Sequence, residues 1–187
     1  FQPSESNHGL TNNEINELCG DKNGRMYIRS GNDLIKLDIY TEQFTCLRQK
    51  GVYGLFCKKD TLWVSCADGI YYYTGQGTEL TFFARVQKGF VGRALYVDRE
   101  TVWVVTRKYL VAISREDPLR QEILLTLDKG NCILGDSSGN IWVGAWNGLY
   151  RVSPDRETTA YVSHSGMGEL SDNQVRCVLE DDFKHIW

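Results

Sequence analysis

An all-β fold of repeated four-stranded sheets is predicted, and three observations predict it. One apolar core centred on an aromatic recurs five times: Met26, Tyr27, Ile28; Leu62, Trp63, Val64; Val102, Trp103, Val104; Ile141, Trp142, Val143; and Ile186, Trp187. The central aromatics, at positions 27, 63, 103, 142 and 187, stand about forty residues apart, which is the period of a repeat architecture. Each core also follows a turn-forming cluster, such as Asp21, Lys22, Asn23, Gly24 or Asp136, Ser137, Ser138, Gly139. Finally, the apolar runs are short and rich in Val, Ile, Tyr and Trp, which suits strands. Helical repeats of the same period fail because turn residues interrupt every candidate helix.

Within a repeat, four strands follow in order. The first, strand A, precedes the turn: Ile15 to Cys19, Gly54 to Cys57, Ala94 to Val97, Cys132 to Leu134 and Val175 to Leu179. The aromatic core is strand B, and together they read as a hairpin. A second turn, clearest at Asp68, Gly69 and at Asn147, Gly148, leads to strand C: Leu34 to Leu37, Ile70 to Tyr73, Leu110 to Ile113 and Leu149 to Val152. A polar loop then reaches strand D: Phe44 to Leu47, Leu80 to Val86, Ile123 to Leu127 and Thr159 to Val162. Strand B is apolar on both faces and D is more polar, as a propeller blade requires, because B lies mid-sheet between neighbouring blades.

The prediction is therefore a β-propeller of four four-stranded blades plus a truncated fifth. Repeats fall approximately at 9–48, 49–86, 87–127, 128–165 and 166–187, the last truncated. The two loops leading into strand A match one another, Leu10, Thr11, Asn12, Asn13 against Leu170, Ser171, Asp172, Asn173, with His8 and His164 just before them. On that alignment residues 1–7 are a closing D strand whose partners belong to the far end of a ring. A chain that stops at strand B of the fifth unit then reads as a fragment.

Composition narrows the function. The 187 residues are 42% hydrophobic and 24% charged, a globular balance. Its 21 basic and 24 acidic residues are scattered, for a net charge of −3, so no basic surface recommends nucleic acid as a partner. No apolar run approaches the roughly 18 residues of a membrane helix, so contact with a membrane is expected only through other parts of a parent chain. Six cysteines, at 19, 46, 57, 66, 132 and 177, form no C-x-x-C pair and have no histidine at zinc-finger spacing. Buried free thiols and one or more disulfides both remain open for them.

A unit of Leu, Ser or Thr, Asp or Asn, Asn, then Val or Ile, an acidic turn, a Trp core and a Gly-Leu strand resembles the two-component regulator propeller repeat. The best matches are Leu170 to Leu179 with Glu180, Asp181 and Trp187, and Asp136, Gly139 to Gly144 with Gly148, Leu149, Tyr150. The second and third repeats depart from the pattern, with Lys50, Gly51, Val52 and Gly89, Phe90, Val91 at the loop before strand A. The resemblance implies a seven-bladed ring in the periplasmic region of a membrane-bound hybrid two-component histidine kinase from Bacteroides-like bacteria. It also implies breakdown products of complex glycans as ligands and a kinase domain elsewhere in the parent chain.

No catalytic set assembles from the residues themselves, and no cofactor or metal is expected. Gly75, Gln76, Gly77 reads as a C-to-D turn, and Asp21, Asn23, Gly24 lacks the twelfth-position Glu of a calcium loop. A propeller gathers its D-to-A and B-to-C loops on one face, a concave site on a rigid scaffold. The ligand-binding candidates on that face are Arg29, Asn32, Arg93, Arg107, Tyr109, Trp146 and Asn147. The Trp146 indole either stacks on a sugar ring or packs against the next blade. Arg29, Arg93 and Arg107 either clasp a carboxylate or sulfate, or are solvated or inter-blade arginines. Three roles follow: an oligosaccharide sensor, a scaffold that dimerises or self-associates through exposed blade faces, or a propeller enzyme. The last needs a carboxylate pair facing one cleft, for which only Asp68, Glu14 and Asp172 stand near the right face.

Overall fold

A computed structural model describes residues 9–10, 12–163 and 170–187. The expected closing strand at 1–7, Thr11, His8 and His164 lie outside the described residues. The chain divides into two compact units, Phe1–Gly92 and Arg93–Trp187.

Unit 1 holds two sheets. The first comprises β1 (Ile15–Gly20), β2 (Arg25–Ser30), β3 (Asp33–Asp38) and β4 (Gln43–Arg48); the second β5 (Val52–Lys58), β6 (Thr61–Cys66), β7 (Gly69–Tyr73) and β8 (Thr81–Ala84). Unit 2 repeats the plan with β9 (Gly92–Val97), β10 (Thr101–Thr106), β11 (Tyr109–Ser114) and β12 (Gln121–Thr126), then β13 (Cys132–Gly135), β14 (Ile141–Ala145), β15 (Gly148–Val152) and β16 (Thr158–Tyr161). In every sheet the hydrogen-bonded order is the order of the chain, a four-stranded meander. Each of the four complete A, B, C and D strands expected from the sequence is present within a few residues of its expected bounds.

The second strand of each sheet is buried on both faces because its side chains alternate between two cores. In β2, Tyr27 packs with Leu34, Val52, Leu55, Leu62 and Tyr73 between the two sheets of unit 1. Its neighbour Ile28 joins Ile35 and Leu37 on the opposite face. In unit 2, Trp103, Val105 and Leu110 meet Ile141, Val143 and Val152. All six residues of β10 are buried, and the removal of Val102, Val104 and Val105 from water stabilises the sheet by about 1.5–3 kcal/mol each.

An acid in the A-to-B turn fastens each of three indoles, those of the buried Trp103, the half-buried Trp142 and the exposed Trp187. Trp103 Nε1 donates to Asp98 Oδ2 at 2.7 Å, Trp142 Nε1 to Asp136 Oδ2 at 2.8 Å, and Trp187 Nε1 to Asp181 Oδ2 at 2.9 Å. In the first sheet Tyr27 takes the tryptophan's place and its hydroxyl stands 3.4 Å from Asp21 Oδ2. The other oxygen of these carboxylates accepts turn amides, as Asp136 Oδ1 does from Ser138 and Asn140. Asp21 is thus consumed by its turn, accepting from the amides of Asn23 and Arg25 and pairing with Arg25 Nε at 2.7 Å.

Two expectations change. Val175 to Leu179 is not a strand: the last segment makes one isolated bridge, Glu180 to Ile186, flanked by reciprocal Leu179 and Trp187 amide bonds at 3.0 and 2.9 Å. The Asp181 turn forms, yet the ladder is too short to extend. Nor are most cysteines buried: Cys66 is, Cys46 and Cys177 are exposed, and Cys19, Cys57 and Cys132 are half-buried. Strand side chains alternate, so Cys46, on the outward face of β4, is exposed however apolar its neighbours are, and Cys177 lies outside any strand.

Candidate functional site

The loops that the sequence assigns to a binding face form the same three-part rim in each unit. A B-to-C turn, the following link between sheets, and the next B-to-C turn are joined by backbone hydrogen bonds. In unit 1, Val52 N donates to Asn32 O at 3.0 Å and Ala67 N to Gly51 O at 2.8 Å. In unit 2, Gly130 N donates to Arg107 O at 3.1 Å and Trp146 N to Asp128 O at 2.9 Å. The loops of each rim are tied together, since they satisfy one another's backbone groups rather than leaving them to water.

The turns are tight because a glycine opens the third strand. Gly69 and Gly148 have φ of 155° and 135°, and a Cβ on either would stand 2.7 Å from a carbonyl oxygen, of Ala84 or Tyr161. The residues just before them, Ala67 with Asp68 and Trp146 with Asn147, are thereby held at the lip.

In unit 1 the lip is electrostatic. Arg48 Nη2 lies 2.7 Å from Asp68 Oδ1, its guanidinium carbon 4.7 Å from the centre of the Tyr71 ring, and the Tyr71 hydroxyl donates to Asp68 Oδ2 at 2.9 Å. Burial pushes the Asp68 carboxyl up, but the bonds from Arg48 and Tyr71 outweigh it and hold the group below its ordinary range. Asn32 is exposed at the adjacent turn. Arg29 is not in a loop as expected: it pairs with Leu34 and Glu17 within the sheet, because a ladder needs backbone groups and not apolar side chains to continue. Its Nε lies 3.4 Å from Glu17 Oε2, and Nη1 donates to Gly31 O at 3.3 Å. Glu17 also accepts the Leu55 amide at 3.0 Å. Burial raises its carboxyl above the ordinary value, with Arg29 and the Leu55 amide opposing.

In unit 2 the lip is aromatic. Trp146 is 43% exposed, and Lys129 Nζ sits 3.5 Å from its ring centre, a cation–π contact. Asn147 Oδ1 accepts from Asp128 N at 3.0 Å, so this side chain fastens the link beside the indole rather than standing free. Arg107 is exposed on the neighbouring turn, bound through its carbonyl to Gly130 of the same link. Arg107, Trp146 and Asn147 are therefore brought together around 128–130. Two further candidates lie in strands rather than loops. Tyr109 opens β11, where it pairs with Thr126 and its amide donates to Thr106 Oγ1 at 2.9 Å, and Arg93 is an exposed residue of β9.

Sequence reasoning passed over Lys129, which no repeat position marks. It also missed an open cleft of about 870 Å³ at the other end of the third sheet. Arg99, Arg115, Arg120 and Arg156 line that cleft with Glu100, Glu116 and Glu122. Part of this lining is engaged: Arg156 pairs with Glu122, and Arg115 Nη1 donates to the carbonyls of Asp98 and Arg99 at 3.1 and 2.9 Å. The carboxylates considered for hydrolysis are engaged locally as well, Asp68 with Arg48, Glu14 with Asn16 and Asp172 with the Gln174 amide.

Solved structures similar to this chain include extracellular domains of Bacteroides regulators and a β-propeller domain. The extracellular domain of BT4673 from B. thetaiotaomicron, in two structures ascribed to a one-component and to a hybrid two-component system, superposes with a TM-score of 0.78 at 17% identity, over 93% of this chain and 26% and 25% of its own. The extracellular domain ascribed to the hybrid two-component system BT3049 of the same organism gives 0.73 at 17% identity, over 100% of this chain and 33% of its own. The β-propeller domain of Cps50 (Swd1) from Myceliophteria thermophila gives 0.67 at 11% identity, over 91% of this chain and 64% of its own. This chain thus spans about a quarter to a third of the two Bacteroides domains. No family model and no curated protein matches the sequence. At these identities the likeness speaks for the fold: the chain has the β-propeller fold, in a form similar to extracellular domains ascribed to hybrid two-component systems.

Proposed function

We propose that this chain is a non-catalytic sensing part of a propeller ectodomain in a membrane-bound hybrid two-component regulator, acting in the periplasm and responding to glycan oligosaccharides. The observation that carries the reading is the superposition on the BT4673 extracellular domain over 93% of the chain. The repeat pattern in the sequence points the same way. The rim of unit 2 is the contact surface, with the Trp146 indole as the stacking platform for a sugar ring and Arg107 as the partner for an acidic substituent. In unit 1 the Arg48–Asp68–Tyr71 cluster offers hydrogen-bonding groups to hydroxyls.

The test is a thermal-shift screen with neutral and acidic oligosaccharides, run on this chain and on a longer chain of seven or more repeats. Binding to the native state raises Tm with ligand concentration over Kd, so weak ligands register. A shift in both supports a site on these rims. A shift only in the longer chain places the site elsewhere and leaves this part a scaffold. Silence in both, across the panel, overturns the oligosaccharide reading.

A further inference from the structure

A pair of thiols sits where the two sheets of unit 1 meet. Cys19 lies in β1 and Cys57 in β5, and their Sγ atoms are 2.7 Å apart, well inside the roughly 3.5–4.0 Å at which heavy atoms merely pack. The contact belongs to a ladder of contacts between the two strands. Two residues earlier on each, Leu55 N donates to Glu17 Oε2 at 3.0 Å, with the same separation of 38 residues that relates Cys19 to Cys57. Just past the cysteines, Asn23 Nδ2 donates to Asp60 Oδ1 at 2.8 Å. β1 and β5 therefore run side by side in one direction, and their register, rather than a chance rotamer, brings the two sulfurs together. Both cysteines are half-buried, within reach of a small oxidant.

We propose that Cys19 and Cys57 are a disulfide-forming pair that clamps the first sheet to the second, with a small disulfide of the glutathione type as oxidant. The contact with Cys57, and then burial, raise the Cys19 thiol above its ordinary range while both are reduced. Either thiol can open the exchange, and the balance is the same from either. From Cys57, the thiolate attacks one sulfur of oxidised glutathione, that S–S bond breaks, and the departing glutathione thiolate takes up a proton. Cys57 is then a mixed disulfide and bears no charge beside Cys19. Cys19 loses its proton to solvent and attacks Cys57 Sγ, and the second glutathione leaves as a thiol. Two protein thiols are oxidised and one glutathione disulfide is reduced to two thiols. The clamp does not depend on the sensing role, since its chemistry lies wholly in this chain and the added oxidant.

The reduced chain is incubated with oxidised glutathione at neutral pH, quenched with N-ethylmaleimide, digested without reduction and weighed. The expected result is one linked peptide pair holding Cys19 and Cys57, four alkylated cysteines, and a Tm above that of the reduced chain. The Cys57→Ser chain is expected to lose both the linked pair and the rise in Tm. Should that variant fail to fold by circular dichroism, the peptide map of the unaltered chain decides alone. Six alkylated cysteines, a glutathione adduct on Cys57 that does not resolve, or a linkage that leaves Cys19 and Cys57 alkylated would each overturn the proposal.

Discussion

The Trp142 indole N–H donates to Asp136 Oδ2 at 2.8 Å while Asp136 Oδ1 holds the amides of Ser138 and Asn140, so one carboxylate ties the turn to the centre of the sheet. Asp136→Ala removes the acceptor for these three donors and for Asn140 Nδ2, which stands 2.8 Å from Oδ2. Bonds to a charged group contribute about 1.5–3 kcal/mol each at most, and water reaches part of this turn, so the loss is about 2 kcal/mol in all. Urea unfolding followed by tryptophan fluorescence checks it. A change within experimental error would mean that packing alone positions Trp142.

Gly148 constrains the aromatic lip, and Gly139 the A-to-B turn at the other end of the same strand. The φ of 135° at Gly148 and the 2.7 Å between an added Cβ and Tyr161 O predict that Gly148→Ala destabilises by about 1–3 kcal/mol. Gly139→Ala, whose φ is 84° but whose added Cβ meets only Pro154 Cγ at 3.5 Å, is expected to do less harm. Unfolding midpoints of the two variants, measured side by side, separate steric overlap from backbone strain.

Glu17 sets a pH dependence of the opposite sign to the turn aspartates. Burial raises its carboxyl above the ordinary 4.5, so the folded state holds that proton more tightly than the unfolded state. The penalty for its ionised form is present at neutral pH and fades as pH falls toward 4.5. Asp68 and Asp136 are held below the ordinary 3.8, so their contribution is full above that value and is lost as pH falls through the lowered one. Stability is therefore expected to rise on mild acidification and to fall below pH 3.8. Glu17→Gln keeps an acceptor for the Leu55 amide and should remove the rise alone, as seen in Tm measured against pH. An unchanged profile would sink the assignment.

Trp146→Ala is expected to abolish any Tm shift produced by oligosaccharide while leaving the unliganded Tm within about 1 °C, because surface positions contribute little to stability. The Lys129→Gln chain removes the cation over the indole and should weaken binding less, since the ring remains. Isothermal titration on both variants distinguishes a stacking platform from a merely exposed tryptophan.

Much of this architecture can be read from the spacing of Tyr27, Trp63, Trp103 and Trp142, because a strand buried on both faces needs an apolar centre and such centres are rare enough to stand out. Strand ends are harder: Arg29 and Arg93 look like loop residues, yet the ladder carries them because backbone pairing ignores side-chain polarity. The Val175 to Leu179 run shows the converse, a strand-like stretch that makes a single bridge. At the candidate site, Trp146 stands out as an aromatic away from the core position, whereas Lys129 and the Cys19–Cys57 contact depend on register between sheets, which no local pattern encodes.

The lock between Asp136 and Trp142 closes over six residues, and every sheet is a meander of strands consecutive in the chain. Each repeat can therefore search for its own pairing without waiting for distant segments, so its loop-closure entropy is small and its folding fast. What remains for later is the docking of one finished sheet on the next through Tyr27 with Val52 or Trp103 with Ile141. Such a chain behaves as a one-dimensional array whose growth unit is the whole repeat. Duplication or loss of about forty residues at a time would then preserve every lock, while a break between the turn acid and the strand B aromatic would part an aspartate from its tryptophan.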